Sequence, residues 1–432
     1  MVMTDLIVEK TEKLGGVVRA PPSKAYTHRA ILAASLSEGQ SSVKEALICD
    51  DTLATVNACS LLGAKIRKVK DGLIVNGVAK PTTPEDVIYC EDSGATIRFI
   101  TPLCALADGI SVLTGSEGLR KRPMEPLLEA LSHIGVQCHS ARGDGHPPII
   151  VFGGGIKGGR ASLRGDVSSQ FVSGLLFSTP KASADTEIIV TSQLESKSYV
   201  AMTLYVLRKH GIKVEASSDY GRFLVPCGQA YVPFSHVIEG DYSSAAFLLA
   251  AASITNSDVK VVNLLKKTLQ GDQAIVTILR DMGFQLDVGE DYVEVQGGKE
   301  GFKKITVDVR DVPDLAPVCM ALASFAEGET VLSGIRRLRF KESDRIASMS
   351  SELTKMGVKI IESEDKLIVR GKSRLHGADL NSHNDHRIAM ACVVAALRAE
   401  KTTIIRGIEC VNKSYPNFVE DLSALGGKAY VR

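Results

Sequence analysis

Six glycines impose a frame that few folds can satisfy. Each follows an amphipathic helical stretch and precedes a short strand-like one: LLGAKI, HIGVQC, KHGIKV, DMGFQL, KMGVKI and ALGGKA, with the glycines at Gly63, Gly135, Gly211, Gly283, Gly357 and Gly426. Their separations are 72, 76, 72, 74 and 69 residues. A further helix with a polar or charged start precedes each glycine by 39 to 43 residues, at Lys24, Gly94, Ser169, Ser244, Asp314 and Asp385. Six matches in step mean internal repetition. The period exceeds the roughly 20–50 residues of common solenoids, so the unit is a larger block. Its order is strand–helix–strand–helix–strand–strand, which makes the chain α/β. Gly240 lies between the third and fourth blocks. Three blocks on either side of it suggest two similar domains joined near there. The opening strand LIVEK is expected to end in a turn at Gly15-Gly16.

Charge narrows the function. The 432 residues carry 51 basic and 50 acidic side chains, a net charge of +1. That balance argues against a general nucleic-acid or membrane-surface binder. Apolar runs such as Ala245–Ala252 are too short to span a bilayer. Met1-Val-Met-Thr-Asp does not read as a secretory signal. The nine cysteines are scattered with no C-x-x-C pair, as expected of reduced, cytoplasmic thiols rather than a disulfide framework or structural zinc.

The cations are not spread evenly. In GIRRLRFKESDR, Arg337, Arg339 and Lys341 alternate, which is strand periodicity and predicts that all three point one way. Ile346, Met349, Leu353 and Met356 then recur at helical spacing, with Ser343 or Asp344 as cap and Gly357 as terminator. Helix starts favour anions, and Lys341, Glu342 and Arg345 fall at this one. Similar starts hold Lys24 and Arg29 after Pro21-Pro-Ser, Arg98 after Ser93-Gly94, and Ser168-Ser169-Gln170. Lys197 follows Glu195-Ser196, and His386 and Arg387 follow Asp385. Arg122 lies in a loop of three cations, and Lys413 is expected to start the last helix. The segments DYSSAA and LLKKTLQGDQA read as chemically quiet.

Several familiar motifs fail. The glycines of GDGHPPIIVFGGGIKGGR lack the lysine–serine/threonine end of a phosphate loop and read as a hairpin turn. Neither Ser168 nor Ser169 sits in a G-x-S-x-G elbow. His383, Asp385 and His386 could be metal ligands, but histidines at i and i+3 without a third ligand and a second shell do not make a metal site. What remains is a set of ten cations, Lys24, Arg29, Arg98, Arg122, Lys197, Arg337, Lys341, Arg345, Arg387 and Lys413, with few carboxylates among them: Asp314, Glu342 and Asp385. In a nearly neutral chain this imbalance predicts small polyanions bound between two domains. Glu342 beside Lys341, and Asp314 among cations, are the candidates for proton transfer.

The motifs PPSKAYTHRA, SGATIR, LRKRPM, GDVSSQF, ESKSY, DVPD, RFKESDR, NDHR and CVNKSYP stand in an order that closely resembles the 5-enolpyruvylshikimate-3-phosphate synthase family across nearly the whole chain. The resemblance implies two inside-out α/β domains of three βαβαββ repeats each, an N-terminal one over 17–239 and a C-terminal one over 1–16 and 240–432, with the active site in the interdomain cleft. It implies transfer of enolpyruvyl from phosphoenolpyruvate to the 5-hydroxyl of shikimate 3-phosphate, with no metal or organic cofactor, by a cytoplasmic monomer. Carried over by motif, Lys24, Asp314, Glu342 and His386 are catalytic. Shikimate 3-phosphate would meet Lys24, Ala25, Arg29, Ser168, Ser169, Gln170, Ser196, Asp314, Arg337 and Lys341. Phosphoenolpyruvate would meet Lys24, Gly94, Arg122, Gln170, Arg345, Arg387 and Lys413. The N-terminal domain would mainly hold the shikimate phosphate, and the C-terminal one phosphoenolpyruvate and the proton-transfer groups. Ala25, Asp92, Ala95, Phe99 and Arg337 depart from common family residues. A carboxylate at Asp92 should repel an anion unless Arg98 or Arg122 pairs with it. The related transferase acting on UDP-N-acetylglucosamine is the nearest rival, but the loop GSEGLRKRP lacks its cysteine. A non-catalytic anion-binding scaffold is disfavoured by Asp314 and Glu342 among the cations.

Overall fold

The computed structural model describes residues 4–298, 301–371 and 374–432. It divides into two compact units, one covering Pro22–Ile238 and the other formed by the chain on either side. Among the described residues twelve α-helices follow one another: α1 (Lys24–Ser35), α2 (Asp50–Leu61), α3 (Gly94–Cys104), α4 (Glu125–His133), α5 (Ser169–Ser178), α6 (Lys197–Lys209), α7 (Tyr242–Ile254), α8 (Ile275–Asp281), α9 (Ala316–Ala323), α10 (Arg345–Lys355), α11 (His386–Ala396) and α12 (Phe418–Ala424). The odd-numbered helices begin within two residues of the expected positions.

All six repeat glycines have φ between +78° and +103°. A side chain there would strain the backbone, which is why the same residue recurs wherever a helix must stop and reverse into a strand. At the end of α10, Gly357 follows the last helical turn with φ +94°. Asp344 caps the other end, accepting from the amides of Ile346 and Ala347 at 3.1 and 3.0 Å.

Each block builds one four-stranded sheet with one parallel pair and two antiparallel pairs. In the Pro22–Ile238 unit the sheets centre on Gly39–Lys44, Ile110–Thr114 and Thr186–Val190. In the other unit they centre on Asp258–Val262, Glu329–Ser333 and Thr403–Arg406. Strand burial alternates, as in Arg222–Val225 and Lys366–Arg370, so each sheet has one wet face. The helices show the opposite character: every residue of α7, α9 and α11 is buried. A helix apolar all round must sit in the core. These three pack on one another with their sheets outside, and α3 packs on α5 in the other unit.

The first strands depart from the sequence reading. Gly15-Gly16 is not a turn but the start of a strand, Gly15–Arg19, which runs parallel to Asp258–Val262. Asp5–Val8 lies antiparallel between Thr403–Arg406 and Ala429–Val431. Ser235–Val237, which precedes α7, instead pairs parallel with Gly39–Lys44. Each unit therefore takes an edge strand from the segment preceding the other unit's first helix, a pairing no local pattern reveals.

Two further corrections concern cations. Arg336–Phe340 is a 3-10 helix rather than a strand. With three residues per turn, positions two apart diverge. Arg337 is buried and donates to the Arg310 carbonyl, whereas Arg339 turns to Asp344 and Glu362 at 3.1 and 3.2 Å. Lys413 ends a 3-10 helix, Ile408–Lys413, and does not start the last helix. Pro416 lies between that 3-10 helix and α12, which begins at Phe418.

Candidate active-site residues

In the Pro22–Ile238 unit, Ser23 caps α1 and delivers Lys24 in its first turn. Lys24 Nζ is held 2.8 Å from Asp51 Oδ2 at the start of α2. The neighbouring helix starts are tied by hydroxyls: Thr55 to Thr96 at 2.7 Å, and Thr96 to Ser93 at 2.8 Å. Arg29, one turn into α1, donates to Thr203 Oγ1 and to the carbonyls of Ala25 and Tyr199 at 2.8–2.9 Å. Two of these bonds tie α1 to α6, and the third stays within α1. Burial lowers its guanidinium to about 10, although the nearby Tyr199 and Tyr26 oppose the shift.

Arg98 projects from α3 across the ring of Phe171 and donates to Gln170 Oε1 at 2.8 Å and Ser168 Oγ at 3.4 Å. Ser168 caps α5, and Ser169 and Gln170 form its first turn. Ser196, at φ +56°, precedes α6. Arg122 is buried and lies against Gly94: a Cβ there would stand 2.5 Å from Arg122 Nη1. The glycine is needed for this approach. Asp92, the departure expected to repel anions, lies 3.7 Å from Arg122 Nη2 and accepts from Ser116 at 2.7 Å. Its charge is thereby answered within the unit.

The other unit is organised by one guanidinium. Arg345 opens α10 and is 1% exposed. Its Nε donates to Asp385 Oδ2 at 2.9 Å, Nη1 to Asp314 Oδ1 at 2.7 Å and Nη2 to Glu342 Oε2 at 2.7 Å. Asp385 also caps α11 through the Arg387 amide at 2.9 Å, placing His386 and Arg387 in the first turn. Arg387 Nη2 reaches Asp314 Oδ2 at 3.1 Å, and Lys413 Nζ lies 3.8 Å from Glu342 Oε1. Asp314, Glu342, Arg345, Arg387 and Lys413 thus form one connected charge network, with Asp385 as its buried anchor.

The network sets the acidities. Burial pushes the Asp314 carboxyl up, but Arg387 and Arg345 outweigh it and hold the group well below the usual carboxylate range. Lys341 moves the other way: desolvation lowers its ammonium to about 7, with Asp314 opposing and Arg337 assisting. An amine so lowered beside a dense carboxylate–guanidinium cluster is a mark of a functional site.

The sequence missed Asp51, Ser243 and Asp272. Asp51 stands 27 residues from Lys24, with no periodic link to it; its only local signal was an acidic pair in the first turn of α2. Ser243 and Asp272 lie in segments that looked quiet, yet Arg387 Nη1 lies 3.5 Å from the Ser243 carbonyl, and Ser243 Oγ donates to Asp272 Oδ2. His383 and His386 diverge: His383 Nε2 bonds the buried Glu352 at 2.8 Å, while His386 is enclosed beside Asp385.

Comparison with known proteins bears on this geometry. The family model described as EPSP synthase (3-phosphoshikimate 1-carboxyvinyltransferase) matches residues 8–422. A 3-phosphoshikimate 1-carboxyvinyltransferase of Methanocaldococcus jannaschii is 45% identical, covering 99% of each chain. One of Methanocella arvoryzae is also 45% identical, over 96% of this chain and 97% of its own. Among solved structures, EPSP synthase from Acinetobacter baumannii superposes with a TM-score of 0.83 at 29% identity, covering 99% of this chain and all of that one.

Proposed function

Because the chain belongs to the EPSP synthase (3-phosphoshikimate 1-carboxyvinyltransferase) family and has its activity in the shikimate pathway, we propose how its residues divide that work. The reaction moves the enolpyruvyl group of phosphoenolpyruvate to the 5-hydroxyl of shikimate 3-phosphate and releases phosphate. In this reading Arg29, Ser168, Ser169, Gln170, Ser196, Arg337 and Lys341 take shikimate 3-phosphate, with Lys24 and the Ala25 backbone beside them. Gly94, Arg122, Arg345, Arg387 and Lys413 take phosphoenolpyruvate, aided by Lys24 and Gln170. The unit Pro22–Ile238 mainly serves the shikimate phosphate; the other carries the proton-transfer groups.

Asp314 accepts hydrogen bonds from the shikimate hydroxyls and takes the 5-hydroxyl proton as the oxygen attacks C2 of phosphoenolpyruvate. Glu342, assisted by Lys24 and His386, gives a proton to the methylene carbon. The resulting tetrahedral intermediate returns a methyl proton to a carboxylate as the C2–O bond to phosphate breaks. The observation that carries the assignment is the Arg345 hub, which holds Asp314 and Glu342 on one guanidinium. With Arg345 and Arg387 engaged, Asp314 is a weak base. An anionic substrate that competes for those guanidiniums raises its basicity on arrival.

The reading extends to a cytoplasmic monomer. Its support is nine free cysteine thiols, which suit a reducing compartment, and a full set of site residues within one chain.

Phosphate release from phosphoenolpyruvate, measured with shikimate 3-phosphate and separately with UDP-N-acetylglucosamine, tests the acceptor. Release is expected only with the former; release only with the sugar nucleotide overturns the assignment. A second measurement concerns Gly94. Gly94→Ala puts a methyl group 2.5 Å from Arg122 Nη1, so the guanidinium must move. Displacing one charge-assisted donor, at roughly 1.5–3 kcal/mol, should raise KM for phosphoenolpyruvate about tenfold or more. An unchanged KM removes Arg122 from that site.

A further inference from the structure

Asp272 is a buried carboxylate that the reaction as described does not use. It lies in the 3-10 helix Gly271–Ala274 just before α8 and is 3% exposed. Its segment is pinned to the start of α7. Gln270 Nε2 donates to the Gly240 carbonyl at 2.7 Å and to Glu239 at 2.6 Å, and Gln270 Oε1 accepts from the Tyr242 amide at 3.1 Å. Ser243 then links two charged groups. Its hydroxyl donates to Asp272, and its carbonyl lies 3.5 Å from Arg387 Nη1. The same guanidinium reaches Asp314 through Nη2.

We propose that Asp272 is a positioning residue for anion binding: through Ser243 it governs how much of the Arg387 charge a substrate anion can claim. Asp272 is faced by Asp241 and Ser243 at the start of α7, Asp314 before α9, Cys319 on α9 and Arg387 on α11. Burial lifts its carboxyl to about 7; Asp314 and Asp241 add to this, and Arg387 and the Ser243 hydrogen bond oppose it. While Asp272 holds a proton, it adds no negative charge to compete with Asp314 for Arg387. When Asp272 ionises, two carboxylates share the guanidinium, and less of its field reaches a ligand.

The inference rests on the assignment of Arg387 to phosphoenolpyruvate. The test is KM for phosphoenolpyruvate between pH 6 and 9, at saturating shikimate 3-phosphate, for the wild type, Asp272→Asn, Ser243→Ala and Arg387→Lys. Asparagine mimics the protonated carboxyl and keeps an acceptor for Ser243. Substrate ionisation is common to all four proteins and cancels in their ratios. As pH rises through about 7, the wild-type KM should climb at least about fivefold relative to Asp272→Asn, the lower end of measured couplings between sites. Ser243→Ala removes a hydrogen bond that favours the ionised form, so it should move the limb to higher pH. Coincident pH profiles for the wild type and both Asp272 and Ser243 variants overturn the inference. If Arg387→Lys leaves KM unchanged, the Arg387 assignment fails instead.

A thermal readout stands apart from catalysis. The raised carboxyl means that the native state keeps a proton which the unfolded chain releases. Wild-type stability should therefore fall relative to Asp272→Asn between about pH 4 and 7, and the gap should stay constant above. A gap that does not change across that window also counts against the inference.

Discussion

Glu342→Gln is expected to lose about 10²–10⁴ in turnover, the usual range for a general acid, while still binding both substrates. The substitution keeps the shape of the side chain and an oxygen that can accept from Arg345 Nη2. It also leaves Arg345 its bonds to Asp314 and Asp385, so the buried cation keeps two anionic partners. What it removes is the carboxyl proton that the methylene carbon of phosphoenolpyruvate must receive. Steady-state phosphate release gives kcat, and calorimetric titration with shikimate 3-phosphate reports binding. Full turnover with normal binding would assign the acid role elsewhere, His386 being the next candidate.

Arg345→Leu should be the most damaging single change to the fold. Leucine fits an interior position, but it leaves Asp314, Glu342 and the fully buried Asp385 without their shared cation. Removing one partner of a buried ion cluster typically costs about 3–5 kcal/mol, because the charges left behind lose compensation but not their desolvation. Urea unfolding of the unit containing α7–α12 measures this. The sign with pH is also set. Without Arg345, the Asp314 carboxyl rises in the native state, so the deficit should be largest near neutrality and shrink as acid protonates it. A loss below about 1 kcal/mol at pH 7 would mean that Arg387 and Lys413 suffice to neutralise the cluster.

These expectations draw on two kinds of information with different origins. The repeating blocks were legible because their signals are local. A helix that reverses into a strand needs a positive φ, which glycine meets at no steric cost; an apolar helix needs burial, and strands need alternation. Lys24, Gly94, Ser169, Arg345 and His386 could be placed in the first turns of helices on such grounds, and a cap fixes a helix start to within a residue or two. The reading of Arg337, Arg339 and Lys341 as one strand face failed for the same local reason: alternation over five residues does not distinguish a short strand from a 3-10 turn.

Acidic partners were harder to read. Asp51 meets Lys24, and Asp272 meets Ser243, across intervals of 27 and 29 residues with no shared period. A carboxylate near a helix start looks solvated until the fold encloses it, and only burial makes its charge expensive enough to need a named partner.

From its order of residues alone, this chain determined the six blocks, their helix starts and the cations those starts carry. Each of these follows from short-range geometry and from the preference of helix ends for particular charges and caps. Tertiary structure decided which strand completes which sheet, which carboxylates Arg345 gathers, and how far Asp314, Lys341 and Asp272 are driven from their ordinary acidities. Those outcomes depend on distance and dielectric between groups remote in sequence, and both quantities exist only once the chain has closed around them.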